Sequence, residues 1–140
     1  MFRLAFVFLL FLFGCSPSSM EDFQNEGKAE CRKLVSIFEK IETTEELLEM
    51  TPRLKKEFHA LVDLIIEART FQDKHPEEEV AEIPFSVADV NEALIGELER
   101  VYQLERGREI VEKAQRDALN RLDAFEKTRK KKQERVLTRH

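Results

Sequence analysis

The sequence predicts an all-α protein: an antiparallel three-helix bundle, coiled-coil-like and rod-shaped, with a long C-terminal helix. Three observations carry this reading. Gly and Pro number four each in 140 residues and Trp is absent, while Glu, Lys, Arg, Leu and Ala dominate, which is the usage of long helices. Apolar residues recur every three or four positions along three stretches, the period of an amphipathic helix and not the alternation of a strand. Helix-start chemistry stands at Thr43, Thr51 and Ser86, where a hydroxyl can accept from the free N–H groups of a first turn.

The first helix is expected from about Glu21. Its seam is Phe23, Gly27, Cys31, Leu34, Phe38 and Ile41, widened by Val35 and Ile37. Thr43-Thr44-Glu45-Glu46 has the spacing of a capping box, in which Thr43 accepts from the chain and Glu46 reaches back. A short helix over Glu45–Met50 follows. Thr51-Pro52 then reads as a second start, with Pro at the first helical position. From there Leu54, Phe58, Leu61, Ile65 and Ala68 form the stripe, broadened by Val62, Leu64 and Phe71. This helix should end at Lys74 or His75, because Pro76 disfavours helical geometry before it.

His75 to Pro84, with its Glu77-Glu78-Glu79 run, is the clearest loop. Ser86 then caps the last helix, with Asp89 three residues on. Val87, Val90, Leu94, Leu98, Val101, Leu104, Val111, Ala114, Ala118, Leu122 and Phe125 make its seam. No proline interrupts it. Gly96 and Gly107 are weak points, each costing about 1 kcal/mol relative to Ala. Unbroken from Val87 to Arg135, the helix would measure roughly 70 Å. It is expected to return along the first two helices and project beyond them. Ile110 and Leu119 fall off the main seam and suggest homodimerisation through a second face.

The N-terminus has a different character. Met1-Phe2-Arg3 carries one positive charge, and Leu4 to Phe13 is an unbroken apolar run of ten residues. A spanning helix needs about 20, so this is the shape of a secretory signal. Its end, Leu12-Phe13-Gly14-Cys15, resembles the lipobox of bacterial lipoproteins. The resemblance covers only this segment. It implies that residues 1–14 are removed as a signal peptide and that Cys15 is lipid-modified, palmitate included. Residues 15–20 are then a lipidated tether to a membrane, and Ser16 implies sorting to the outer membrane of the cell envelope. Stable anchoring takes more than one acyl chain, and that class carries two or three on the one cysteine.

Without residues 1–14 the chain keeps 22 basic and 28 acidic residues, a formal charge of −6. The 126 residues left suit one compact domain, placed over residues 21–126. Cys31 remains alone on the first apolar stripe; burial is favoured over an intermolecular bridge. Residues 127–140 form a basic helix end or tail. They hold Lys127, Arg129, Lys130, Lys131, Lys132, Arg135 and Arg139 against Glu134, a net +6, so the rest carries −12. Such a tract reads as an anion-binding patch, of which Lys127, Arg129, Lys130, Lys131, Lys132 and Arg135 are the candidate residues. The plainer reading is a solvated helix end whose cations favour its own dipole.

Little else points to chemistry. His59 and Asp63 share a helix face, without HExxH or further ligands in sequence reach, and read as a hydrogen-bonded pair rather than a metal site. No nucleophile elbow, phosphate loop or dinucleotide fingerprint occurs. Neither catalysis nor a cofactor is expected. Nucleic acid is an unsuitable partner for an exported chain whose basic tract has no interleaved aromatics. The expected function is an interaction or spacer module anchored by lipid, with another envelope protein or a second copy as partner. The alternative is an envelope bridge whose basic end grips an anionic membrane or polymer.

Overall fold

A computed structural model describes residues 17–77 and 88–139, with side chains in the second segment from residue 92. Four helices pack together: α1 (Met20–Phe38), α2 (Thr44–Lys74), α3 (Ala88–Tyr102) and α4 (Gly107–Leu137). The expected signal segment, Cys15, the expected loop beyond Glu77, the expected Ser86 cap and the expected seam positions Val87 and Val90 lie outside the described residues or side chains.

Each described start has a local cause. Ser19 caps α1 by accepting from Asp22 N at 3.2 Å. Ser18 adds to it, donating from both N and Oγ to Asp22 Oδ2 at 2.9 Å. Those bonds hold the Asp22 carboxyl below its usual pKa. The expected capping box opens α2: Thr43 Oγ1 accepts from Glu46 N, and Glu46 Oε2 accepts from Thr43 N, both at 3.2 Å.

The second expected start is corrected. Thr44 to Lys74 is one helix of 31 residues, and Pro52 lies inside it. Thr51 does not cap a new helix. Its hydroxyl bonds back to Leu47 O at 3.0 Å. Proline removes a donor and crowds the preceding turn, yet Pro52 sits on the exposed side while Leu47 and Leu54 on either side of it are fully buried. Core packing outweighs the local preference.

The expected unbroken last helix is also corrected. It divides at Gln103–Arg106 into α3 and α4, which makes four helices among the described residues. Gly107 explains why. A Cβ there would stand 2.0 Å from Val101 O, so only glycine lets the chain double back this closely. Arg106 takes the left-handed conformation (φ 58°, ψ 13°) and completes the turn.

Reversal at this turn decides the packing. α1 packs against α2 and α3, and α4 packs against α2 and α3. Helices α1 and α2 are antiparallel, as expected. α4, however, runs parallel to α2, with four ties in register along the pair. These are Thr44 Oγ1 donating to Glu105 O at 2.9 Å, Arg121 with Asp63, Arg69 with Glu126 at 3.5 Å, and Arg129 with Asp73 at 2.8 Å. Where α1 ends, α3 ends too: Arg100 donates to Phe38 O and Ile41 O, both at 2.6 Å.

All six expected seam residues of the first helix are buried. The main core joins Leu34, Phe38, Ile41, Leu47 and Leu54 to Val101, Val111, Ala114 and Ala118. Ile110, expected off the seam, is buried in it, whereas Leu119 is exposed. A second cluster, Met20, Phe23, Leu64 and Ala68 with Phe71 against it, pins the start of α1 to the last turns of α2. Burying one such large apolar side chain contributes about 1.5–3 kcal/mol.

Candidate functional site

Three helices converge at one end of the bundle. The start of α1 is there, since the Phe23 ring packs on Phe71 with centroids 5.5 Å apart. Phe71 lies in the last turn of α2 and stacks on His75, 4.3 Å away. Two residues on from Phe71, Asp73 holds Arg129 of α4. The candidate basic tract therefore leaves the bundle beside the segment that leads back to Cys15.

The structure divides the six candidate cations. Arg129 is committed to the fold: its Nε and Nη2 donate to Asp73 at 2.8–3.1 Å, and its Nη1 lies 3.6 Å from Glu126. The guanidinium holds the Asp73 carboxyl below its usual pKa, and Asp73 in turn raises that of Arg129. Lys127, Lys130, Lys131, Lys132 and Arg135 are exposed. Helical spacing of four aligns Lys127, Lys131 and Arg135 in one stripe, with Lys132 at its flank and Arg139 in the turn that follows α4.

This stripe has an apolar tip. Val136 and Leu137 are 57% and 78% exposed, and α4 continues to Leu137, two turns past Arg129. Residues 130–139 are exposed throughout. Cations in a last helical turn favour the helix dipole, but like charges four apart oppose each other by a few tenths of a kcal/mol per pair.

The body of the bundle is acidic. Glu26, Glu30, Asp63 and Glu67 line a cleft between α1 and α2. Asp63 pairs with Arg121 of α4 and has no bond to His59, which corrects the expected His59–Asp63 pair. The break that turns α4 alongside α2 supplies this closer, permanently charged partner. Among the described residues, no group of three His, Cys, Asp or Glu side chains could hold a metal ion. No described helix is long and apolar enough to cross a membrane.

Cys31 is buried and free. Burial, with Glu30 beside it, pushes its thiol pKa up, and its side chain belongs to the buried core. Two residues that organise this architecture carry no sequence signal. Arg100 serves as the missing C-terminal cation of α1, which has no basic residue in its own last turn. Asp73 looks like one more surface carboxylate until α4 lies beside it.

No family model, curated protein or solved structure matches the chain.

Proposed function

We propose that the mature chain is a lipid-anchored bacterial envelope protein, an interaction and spacer module that acts without catalysis. The observation that carries this reading is the junction between signal and fold. The first cap is at Ser18–Ser19, only three residues after the Cys15 that ends the lipobox-like segment. A rod therefore begins directly at the point of acylation. Its longest helices, 31 residues each, measure about 46 Å. Anchored by one end, such a bundle carries its far turns, Glu39–Thr43 and Gln103–Arg106, well clear of a bilayer surface. Its helix faces offer the surface for a second envelope protein or a second copy, by packing of apolar side chains between helices. Ser16 favours the outer membrane.

The test is chemical. Expressed in a bacterium, the wild-type chain should incorporate labelled palmitate and fractionate with the envelope. Cys15→Ala should take up no palmitate and retain its signal segment. An unmodified Cys15 in the mature native protein, read by mass spectrometry, would refute the reading. Cross-linking in intact cells followed by purification then reports whether the bundle contacts another protein or itself.

A second reading is favoured by the exposed Lys127–Lys131–Arg135 stripe. In this reading the basic end of α4 holds an anionic surface, as a membrane or an envelope polymer would present.

A further inference from the structure

We infer that the basic end of α4 and the lipid on Cys15 engage the same leaflet, so that the protein is held by two contacts and stands upright on an anionic membrane. This rests on the lipid-anchor reading and adds to it the occupant of the basic stripe: the phosphates of anionic phospholipids beside the anchor.

Reach is the first argument. Ser18 is three residue steps from Cys15, and covalent geometry limits that span to roughly 11 Å. On the other side, α4 runs eight residues beyond Arg129 to Leu137, which is about 12 Å. The two starting points are level, because Met20 and Phe23 pack on the last turns of α2 and Arg129 grips Asp73 there. An acyl chain entering a bilayer at Cys15 thus brings the tip of α4 to the same surface. A bridge to a second membrane would need the cations at the opposite end.

Charge and surface chemistry agree. Residues 127–140 carry +6 while the rest of the mature chain carries −12. An anionic surface repels the body and attracts the tip, which orients the rod. Val136 and Leu137 then have a place among the headgroups, with the Lys and Arg stems lying along the boundary. A polybasic patch beside a lipid anchor is a general route to firm membrane attachment.

The geometry can be read from the lipidated full-length mature protein carrying Leu137→Cys. Lipid blocks Cys15 and burial shields Cys31, so an environment-sensitive fluorophore reports on the tip alone. In vesicles of 70% phosphatidylcholine and 30% phosphatidylglycerol, lipid-borne quenchers should reach the label. Pure phosphatidylcholine, or high salt, should abolish this. Replacing Lys131, Lys132 and Arg135 with Gln should lower the fraction of tips in contact by on the order of tenfold or more. A label at Glu105→Cys, on the far turn, should never be quenched. Equal exposure of the tip in anionic and neutral vesicles overturns the inference while leaving the lipid anchor intact. Clustering of the loaded vesicles with added protein-free anionic vesicles also overturns it, in favour of a bridge. A mass spectrum without acyl chains on Cys15 removes the anchor reading, and the inference with it.

Discussion

Arg129 clasps Asp73 with two of its nitrogens across the ends of α4 and α2. This pair marks where α4 stops being part of the bundle and becomes a projection. It also converts one member of a basic run into a structural residue. The neighbouring Lys130 and Lys131, on other faces of the same helix, stay in solvent.

The clasp gives the fold a pH dependence with a definite sign. Asp73 titrates below its usual value because Arg129 bonds its charged form. Its stabilisation is whole well above the ordinary aspartate pKa of about 3.9 and is lost as the pH falls through the lower folded-state value. With Asp73 40% exposed, solvent screening limits it to about 1 kcal/mol. Asp73→Asn should therefore lower stability in urea by about that much at pH 7 and hardly at all near pH 2. An equal loss at both would show that charge is not the cause.

Arg100 closes the end of α1 from another helix. Two short bonds, to Ile41 O and to Phe38 O (which also accepts from Ile41 N), tie down the chain where it leaves α1. Arg100→Ala should cost about 1–3 kcal/mol. Lysine, a single point donor, cannot serve both carbonyls with a planar fork and should recover only part of the loss. Full recovery by Arg100→Lys in thermal melts would argue that only the charge matters.

Gly107→Ala tests the turn. The added methyl would overlap Val101 O, so the connection between α3 and α4 must open. Overpacking of this kind costs about 1–3 kcal/mol. The apolar seam continues through the turn, from Leu98 and Val101 to Leu104 and Val111, so a straightened helix has a ready-made face for a second copy. The variant should therefore melt lower and shift toward dimer on light scattering. An unchanged melting temperature would contradict the close approach.

Cys31 should be silent. Buried at 3% exposure with its thiol pKa raised, it should resist alkylation in the native protein and react fully in urea. Rapid labelling under native conditions would mean that α1 does not stay docked on α2.

Where a side chain's role depends on its own helix, it was legible in the chain. Phe23, Gly27, Cys31, Leu34, Phe38 and Ile41 were readable as a buried face because helical period and burial coincide. The Thr43–Glu46 box was readable because its partners are three residues apart. The end of α2 at Lys74 was readable from Pro76. The α3–α4 connection keeps the apolar period on both sides of the turn, so the period by itself reads as one long helix. Gly107 looked like a small propensity cost when it is the residue that permits the reversal. Pro52 misled in the opposite direction, because a local preference for a helix start yields to the burial of Leu47 and Leu54.

Basic tract, acidic body and lipobox-like segment are all properties of the sequence by itself, as is the all-α character that follows from period and composition. Their positions relative to one another are not. Ser18 and Arg129 lie far apart in the chain, and nothing in their spacing says that they stand at the same end of the bundle. That depends on α3 and α4 folding back at Gly107, which sends α4 down beside α2, and on Phe23 and Arg129 docking at the same turns of α2. The physical reason is one of range. Helical period, caps and charge runs act within a few residues, whereas the packing that brings two distant segments to one surface is settled only when the whole core closes.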